Sequence, residues 1–269
     1  MTTASATLDI LTLNTWGFRW PLARHRKARF GRIQQHLREA SYDVVALQEL
    51  WRGAPEVLGD TGMAWAGREG QTARKTRMVD SGLGVKVRRG FERSVQAVMT
   101  LVRSFARHSG FDRAKHKGIF GVELAIDNIG PVTLVNTHLQ ASRGAARVRR
   151  TQLDEILAAV DTISTPVILC GDFNLFDAHH EDRAGHRSLG GAGFHDASET
   201  IDRPDATYLT KNPYVGGSED ERFDRIYLRD GVCHGQKVRI VAESVKVIVD
   251  HGAPMSDHEA VAARLRLVR

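Results

Sequence analysis

A chain of 269 residues, 42% hydrophobic and 26% charged, has room for one large α/β domain or two modest ones. Its apolar runs are strand-sized and its first residues resemble no secretory signal, so we expect no membrane span and, with only Cys170 and Cys233, a reduced, cytoplasmic protein. The net charge of +6 favours an anionic partner, although the basic residues are dispersed and mostly arginine.

Strand-like and helical segments alternate along the chain. In chain order, the apolar patterns predict a strand at Leu8–Leu13, a helix at Arg26–Ala40, strands at Tyr42–Glu49, Gly84–Val87, Gly118–Ile126 and Pro131–His138, a helix at Ala145–Val160, and strands at Thr165–Asp172, Arg222–Leu228, Val238–Val249 and Glu259–Val268. Phe91–Phe105 fits either a helix or a strand, and long loops are predicted at Gly53–Gly82, His179–Gly193 and Asp202–Arg222. Since no linker composition divides the chain, residues 1–269 are interpreted as a single domain.

The segment Val167–Asp177, VILCGDFNLFD, leaves a buried strand through Gly171 and Asp172 and places Asn174 two residues further on. A tight turn explains the glycine and the aspartate but explains the asparagine less well. On an extended backbone, side chains two residues apart point the same way. The pattern leaves two interpretations open, a simple turn or an acid and an amide that face one target.

Polar side chains capable of chemistry stand at the ends of several predicted strands. They are Asn14, Glu49, His138, Asp172, Asn174, Asp224, Asp257 and His258. Any one of them alone is an ordinary turn or surface residue. All of them together need a common cause, because polar groups gathered at one rim of a sheet form a catalytic cleft.

The residue types in this set indicate the chemistry. Carboxylates with amides and no cysteine favour a hard divalent cation, most naturally Mg²⁺ with Mn²⁺ as the alternative, whereas zinc prefers cysteine or several histidines. A Gly-x-Ser-x-Gly motif and a glycine-rich nucleotide loop are both missing from the sequence. The two histidines suit a general base and a stabiliser of phosphoryl oxygens. The sequence therefore predicts metal-assisted attack of water on a phosphoester.

Six short motifs give the chain a family resemblance. In order they read LNTWG, LQELW, NTHLQA, GDFN, RFDRIYL and SDHEAV, and their polar residues extend from Asn14 to His258. Together they resemble the endonuclease/exonuclease/phosphatase superfamily. The resemblance implies a four-layer α/β/β/α sandwich of two packed mixed sheets flanked by helices. The alternation of elements by itself also allows a doubly wound parallel sheet.

The resemblance implies a metal site and a catalytic base. Glu49 would be the main Mg²⁺ ligand, with Asn14 beside it and Asp257 close to the metal. Asp224 would hold His258 in the required tautomer. His258 would then act as the general base on the attacking water.

It also implies the groups that bind the substrate. Asp172 would orient the water, while Asn174 and His138 would donate hydrogen bonds to phosphoryl oxygens as negative charge develops. Lys117, from a lysine-glycine element, and Asn136 would contact the substrate.

Within the superfamily the chain most closely resembles the neutral sphingomyelinases, through QELW, KHKGIFGVEL, NTHLQAS, FHDASE and YLTKNPY. This resemblance implies a monomer that hydrolyses a sphingomyelin-like phospholipid. The membrane-spanning helices of some members and the exposed aromatic hairpin of secreted bacterial members are not evident. A basic rim from Arg143, Arg147, Arg150 and Lys117 would instead contact an anionic membrane.

Two other functions stay open from the sequence. A Mg²⁺-dependent nuclease acting on DNA or RNA is favoured by the sequence pI of about 9.6 and by FDRIYL, which also resembles the deoxyribonuclease branch. A non-catalytic binding module on the same fold is less favoured, because the set of eight polar residues is complete. The expected partner is thus a phosphodiester, in a lipid headgroup or a nucleic acid.

Overall fold

The computed structural model describes residues 4–51, 53–68, 82–98, 103–110, 112, 117–200, 205–250 and 252–269. The helices are α1 (Arg26–Glu39), α2 (Ala54–Leu58), α3 (Ala146–Val160) and α4 (His180–Gly191). The strands are β1 (Ser5–Asn14), β2 (Val44–Gln48), β3 (Met63–Arg68), β4 (Gly84–Arg88), β5 (Val95–Val98), β6 (Arg103–Ser104), β7 (Gly118–Ile126), β8 (Gly130–His138), β9 (Val167–Asp172), β10 (His195–Asp196), β11 (Asp224–Arg229), β12 (Gly231–Cys233), β13 (Gln236–Ile248) and β14 (Ala260–Val268). Every strand and helix predicted from the sequence is present, with ends shifted by a few residues.

Within the described residues, the strands form two mixed seven-stranded sheets. The first sheet has the order β12-β13-β14-β1-β2-β4-β3, and its β1 and β2 are parallel. The second has the order β10-β11-β9-β8-β7-β5, with β6 also paired to β7 and with β8 and β9 parallel. Each parallel pair is connected by a helix, α1 in the first sheet and α3 in the second, as neighbouring parallel strands require. Both sheets therefore contain an equivalent β-α-β unit.

The two sheets pack face to face, and a helix covers the outer face of each. Alternate residues of β1 point to opposite faces: Leu8 and Ile10 pack against Phe120 between the sheets, whereas Leu11 packs toward Phe30 of α1. An equivalent outer cluster joins α3 to the second sheet. Burial on both faces explains why β2 is a continuous apolar run instead of an alternating one. The four-layer α/β/β/α sandwich is confirmed, and the doubly wound sheet is excluded.

The stretch His179–Gly193 contains a helix where a loop was predicted. Helix α4 buries Asp182, Gly185 and Leu189, of which only the leucine has a large apolar side chain. The apolar periodicity that identifies a helix in a sequence is therefore missing. Gly185 permits close packing on α3, since a Cβ atom there would lie 2.7 Å from Leu153 Cδ1.

The segments whose structure was undecided are mainly extended. Phe91–Phe105 begins with a short 3-10 helix and continues into β5 and β6, with residues 99–102 outside the described part. The predicted loop Gly53–Gly82 contains α2 and β3, and residues 69–81 are likewise not described. None of the helices in the described ranges has the length and apolar character that crossing a bilayer demands.

Candidate active site

Strand ends from both sheets meet at one edge of the sandwich and carry the predicted polar residues. Asn14 and His138 are the last residues of β1 and β8. Asp172 ends β9, where it is in register with His138 on one side and with Asp224 of β11 on the other. Glu49 follows β2 directly. Strand register thus brings residues far apart in the sequence to the same edge.

These side chains enclose a cleft of about 380 Å³. Seven of the eight predicted polar residues form part of its wall: Asn14, Glu49, His138, Asp172, Asn174, Asp257 and His258. The eighth, Asp224, is buried and hydrogen-bonded to His258. The predicted gathering of polar groups at one rim is therefore observed.

Three residues at these strand ends have left-handed backbone conformations, with φ of 46° at Trp16, 57° at Glu49 and 49° at Asn174. Residues other than glycine are uncommon in this region. Hydrogen bonds hold two of them: the Trp16 carbonyl accepts from Arg29 Nη2 at 2.8 Å, and the Asn174 amide donates to Asp172 Oδ1 at 3.0 Å. Such conformations concentrate at functional sites. Here all three residues line the cleft.

His258 and Asp224 form a buried hydrogen-bonded pair. His258 Nδ1 lies 2.7 Å from Asp224 Oδ2, so the contact predicted from the sequence is present. In this bond Nδ1 carries the hydrogen and donates it to the aspartate, so Nε2 is the ring atom that can exchange a proton in the cleft. Burial alone would lower the pKa of His258, but the Asp224 and Asp172 carboxylates raise it well above its ordinary value. The two carboxylates thus stabilise the protonated imidazole.

Asp172 is the centre of the hydrogen-bond network. Its Oδ2 accepts from Asn14 Nδ2 at 2.9 Å and lies 3.2 Å from His138 Nε2 and 3.9 Å from His258 Nε2. Burial alone would raise the pKa of Asp172, but the positive charges of His138 and His258 hold it far below its usual range. The carboxylate is therefore ionised and can accept a hydrogen bond from a ligand in the cleft.

Asn174 combines the two interpretations that its sequence context left open. Its φ of 49° shows that the backbone is not extended, so the argument from i and i+2 side chains was wrong. A turn is present, because Asp172 Oδ1 accepts the Asn174 amide N–H. Both side chains nevertheless line the cleft, and Asn174 Nδ2 donates one hydrogen bond to the Leu139 carbonyl at 3.2 Å.

Glu49 has the properties of a cation ligand. Its Oε2 is buried without a hydrogen-bond partner among the described residues, while its Oε1 lies 3.9 Å from His138 Nε2. A buried carboxylate oxygen without a donor is costly unless a cation neutralises it. Burial and the charge of Glu49 also raise the pKa of Asp257 to about 7. This excess of negative charge and the oxygen ligands fit Mg²⁺.

A second set of possible ligand atoms comes from Asp172, Asp224 and His258, whose atoms lie within 4.8 Å of one another. Two of these atoms are bonded to each other, His258 Nδ1 with Asp224 Oδ2. Asp172 Oδ2 in turn lies within hydrogen-bond distance of two other side chains. Glu49 and Asp257 therefore offer the carboxylate oxygens that best fit the cation.

Lys117 does not reach the cleft, contrary to the prediction. Its side chain is fully buried, where Nζ donates to the Leu139 carbonyl at 2.7 Å and lies 3.1 Å from Asp112 Oδ2. Leu139 follows His138 and accepts the Asn174 amide as well. Lys117 is thus a positioning residue behind the wall of the cleft.

Asn136 is also a wrong prediction, because it connects the two sheets in the interior. Its Nδ2 donates to the carbonyls of Leu47 at 2.9 Å and Gly84 at 3.1 Å, and its Oδ1 accepts from Gln48 Nε2 at 2.8 Å. The side chain is fully buried and its hydrogen bonds are made within the protein. It stabilises the contact between the sheets beneath the cleft.

The rest of the cleft wall is aromatic and acidic, which the motifs did not reveal. Its aromatic side chains are Trp16, Phe18, Phe176, Tyr208 and Phe223. Glu219 and Glu221 also line it, and both pair with Arg143 Nη2, at 2.6 Å and 2.9 Å. The only sequence signal for these acids was the length of the loop Asp202–Arg222, since long loops often carry function.

The cleft lies at the joined strand ends of an α/β/β/α sandwich, and its carboxylates, amides and histidines are the residue types that metal-assisted cleavage of a phosphoester uses. The chain belongs to the Endonuclease/Exonuclease/phosphatase family, whose sequence pattern matches residues 11–258. The resemblance inferred from the six motifs is confirmed. Members of this family are phosphodiesterases and nucleases, in agreement with the enzyme class predicted from the sequence.

Individual relatives support the same family. The chain is 28% identical over 291 residues to sphingomyelin phosphodiesterase 2 of Homo sapiens, covering 97% of this chain and 65% of that protein. The structure of D. rerio TDP2 complexed with a single-strand DNA product is similar with a TM-score of 0.74, 21% identity and coverage of 97% and 99% of the two chains. A Staphylococcus aureus beta toxin variant with bound magnesium ions gives a TM-score of 0.70 at 16% identity, covering 96% and 99%. The two structures share the fold with this chain.

Proposed function

We propose that the chain is a Mg²⁺-dependent phosphodiesterase that hydrolyses a sphingomyelin-like phospholipid. The observation that carries the proposal is the His258–Asp224 pair, 2.7 Å apart, in the same cleft as the unpartnered Glu49 Oε2. The first is suited to activating water and the second to holding a cation. A binding module without catalysis would have no use for this combination.

The proposed base and its neighbour are placed to share one water molecule. His258 Nε2 and Asp172 Oδ2 are 3.9 Å apart, so a water oxygen can lie within about 2.8 Å of both. His258 would accept one proton as the water attacks phosphorus, while the bond from phosphorus to the lipid oxygen breaks and the departing alkoxide takes up a proton from solvent. Asp172 would accept a hydrogen bond from the other hydrogen and fix the water's orientation. Asp224 would stabilise the positive charge that develops on the imidazole.

Other residues would stabilise the charge on the phosphoryl oxygens. Asn174 would donate from its amide, and His138 would share its Nε2 hydrogen between Asp172 and the substrate. When bound by Glu49 with Asp257 and Asn14, Mg²⁺, or Mn²⁺ in its place, would polarise the phosphoryl group and offset the surrounding carboxylates.

The mouth of the cleft supports a phosphocholine headgroup, whose choline stays on phosphorus while the bond from phosphorus to the lipid oxygen breaks. Quaternary ammonium groups bind to the faces of aromatic rings, which Tyr208 and Phe223 supply here beside Glu219 and Glu221. Glu219 and Glu221 exceed the single positive charge of Arg143 that pairs with them, and this excess of negative charge would disfavour a nucleic-acid backbone. The name of the human relative, sphingomyelin phosphodiesterase 2, supports this substrate class.

A Mg²⁺-dependent nuclease is the second candidate. It is favoured by the net charge of +6 and by the fold shared with TDP2, whose structure contains a DNA product. Because phosphate contacts release bound counterions, a nuclease would lose affinity steeply between low and physiological salt.

A substrate panel tests the two candidates. Sphingomyelin and a lysophospholipid in detergent, plasmid DNA and a soluble chromogenic diester are each incubated with Mg²⁺, with Mn²⁺ and with EDTA. We expect metal-dependent release of phosphocholine, lost in His258→Ala and retained in the matched control His180→Ala, whose ring is exposed at the start of α4. Plasmid nicking without headgroup release would favour the nuclease, and hydrolysis of no diester would contradict both candidates.

A further inference from the structure

The loop between β1 and α1 presents two large apolar side chains to solvent beside the cleft. Trp20 is 82% exposed and Leu22 is 53% exposed, with Pro21 between them. Trp16 and Phe18, earlier in the same loop, line the cleft. The exposed pair therefore follows, along the loop, the residues that line the cleft.

The same loop carries a concentration of positive charge. Arg19, Arg24, Arg26 and Lys27 lie in it or at its junction with α1, and no acidic residue occurs from residue 10 to residue 38. Within the described part of the chain, none of these four side chains lies within 4.0 Å of a carboxylate. The guanidinium groups of Arg19 and Arg26 lie close together, since a Cβ atom on Gly53 would lie 2.8 Å from Arg19 Nη2 and 4.0 Å from Arg26 Nη2. The surface around the apolar pair thus attracts anions.

Contacts with the opposite wall of the cleft fix the direction of the loop. Arg24 Nη2 donates to the Pro213 carbonyl at 2.8 Å, and His25 Nδ1 lies 3.3 Å from the hydroxyl of Tyr214. The Tyr214 ring also packs on Trp16 with 5.5 Å between centroids. The loop tip and the cleft mouth are therefore held in one orientation.

We propose that residues 19–27 form a membrane-docking surface that recognises an anionic lipid bilayer. Trp20 and Leu22 enter the headgroup region, and the surrounding arginines and lysine contact anionic headgroups. Such docking directs the cleft toward lipid headgroups at the membrane surface. The surface acts by binding alone, so it goes beyond the proposed hydrolysis and does not depend on it.

The basic rim predicted from the sequence cannot serve in the same way. Lys117 is buried, and Arg143, Arg147 and Arg150 each lie within 4.0 Å of a carboxylate. Their charges are largely compensated on the protein itself. In the described part of the chain, the cations of the loop 19–27 have no carboxylate within 4.0 Å, so their charges are not compensated in this way.

A bilayer explains the composition of the loop better than a single-stranded nucleic acid does. Nucleic-acid platforms stack bases on aromatic rings, and Leu22 has no such face. A polyanion leading into the cleft would also meet Glu219 and Glu221 at its mouth. Aliphatic, aromatic and basic side chains together are typical of interfacial segments.

Vesicle binding tests the proposal. The wild type is sedimented with vesicles of phosphatidylcholine alone or with about one third phosphatidylserine, at low and high salt, and its tryptophan fluorescence is recorded. We expect salt-sensitive binding that requires the anionic lipid, with a blue shift of the emission. Trp20→Ala with Leu22→Ala should weaken binding roughly tenfold or more, and replacing Arg19 and Lys27 by Gln should weaken it roughly fivefold per residue.

Matched controls come from the distant edge of the first sheet. Val232→Ala removes another exposed apolar side chain, and Lys237→Gln with Arg239→Gln removes two exposed cations. Both controls should bind vesicles like the wild type. Thermal unfolding of every variant should match the wild type, because all of these side chains are exposed.

Several outcomes overturn the proposal: unchanged vesicle binding in the loop variants, equal losses in the controls, or loop-dependent binding of a single-stranded oligonucleotide without vesicle binding. Self-association that requires Trp20, in place of vesicle binding, would equally assign the surface to a second copy of the chain. Binding is measured without turnover. A protein that docks through the loop but releases no phosphocholine would contradict only the proposed hydrolysis.

Discussion

Replacing Lys117 by methionine tests whether this buried ammonium positions other residues of the cleft or binds the substrate directly. Its Nζ donates to the Leu139 carbonyl at 2.7 Å and lies 3.1 Å from Asp112. The same carbonyl accepts the amide of Asn174 at 3.2 Å. Lys117→Met keeps most of the side-chain volume but removes the charge. The Leu139 carbonyl then loses its strongest donor, and Asn174 loses precise orientation in the cleft.

The size of the effect follows from the burial of both charges. The side chains of Lys117 and Asp112 are 0% and 4% exposed, and removing one partner of a buried ion pair costs about 3–5 kcal/mol. Asp112 keeps the hydrogen bond from the Ala141 amide at 2.9 Å, so we expect the lower end, about 3 kcal/mol. Adding Asp112→Asn removes the buried charge that Lys117 paired with and keeps an acceptor for Ala141. The double variant should therefore recover about 1–2 kcal/mol.

Urea unfolding gives the free energy, and kinetics on a soluble chromogenic diester separate kcat from KM. We expect Lys117→Met to be less stable, with a lower kcat and little change in KM. Lys86→Met is the matched control, because Lys86 is a buried lysine of β4 that does not line the cleft. It should lose stability without a change in kcat of the folded protein. An unchanged unfolding free energy with a raised KM would show instead that Lys117 binds the substrate directly.

The remaining predictions concern the cleft. Glu49→Gln should abolish turnover and weaken calorimetric Mg²⁺ binding by about tenfold or more, because an amide replaces a charged oxygen ligand; an unchanged affinity would place the metal elsewhere. Asp224→Asn, His258→Ala and the double variant should have similar residual rates, since the pair acts as a unit, and multiplying losses would contradict the pairing. Glu219→Gln with Glu221→Gln should reduce hydrolysis of a choline-containing diester about fivefold relative to an uncharged one. An equal effect on both diesters would show that these acids do not select the headgroup.

The polar wall of the cleft could be predicted because strand ends are visible in a sequence. A buried strand is an apolar run, and the first polar residue after it marks the level of the rim. His138 and Asp172 both end such runs, and their parallel register places them side by side. The polar wall of the cleft could then be predicted from the motifs once their order indicated a fold that brings these strand ends together.

The distance of a strand residue from the rim of the cleft was not predictable in the same way. Asn136 and His138 are two residues apart on β8 and point to the same face, but Asn136 lies about 7 Å further from the rim. That distance places its amide between the sheets, where it bonds to the backbone of the first sheet. Lys117 was misjudged for a related reason. Its partners Leu139 and Asp112 come from other parts of the chain, and a single sequence does not show such pairings.

Loop positions gave the least signal. The acids Glu219 and Glu221 and the exposed Trp20 lie in segments without periodicity, so nothing in their spacing indicates direction. Their place depends on contacts such as the ion pairs of Arg143 and the packing of Tyr214. The chemistry of the wall was therefore predictable, whereas the features that select a substrate were not.

Two buried arginines show how the cleft is kept in shape. Arg29 and Arg149 are each the fourth residue of the helix in a β-α-β unit, Arg29 in α1 and Arg149 in α3. Arg29 donates to carbonyl oxygens of the β1–α1 loop, those of Thr15, Trp16 and Arg24. Arg149 donates to carbonyl oxygens of the β8–α3 loop, those of Gln140, Ser142 and Arg143. In both sheets, a buried arginine at the equivalent helix position thus holds the carbonyl oxygens of the loop that follows a strand end at the cleft.

The planar guanidinium suits this role because its five N–H groups can hold several carbonyls of one loop at once, which a lysine could not do. Burial lowers the pKa of Arg29 to about 10, so its charge persists at neutral pH, and Arg149 adds a bidentate pair with Asp182 at 2.9 Å and 2.7 Å. Arginine is usually a surface residue, and the sequence gives no signal that these two are buried. Both lie in the interior, but the described residues bury more carboxylates than cations, so burial does not lower the positive charge that faces solvent. The exposed cations that we propose to contact an anionic bilayer, Arg19, Arg24 and Lys27, lie in or next to the loop between β1 and α1, whose carbonyl oxygens Arg29 holds.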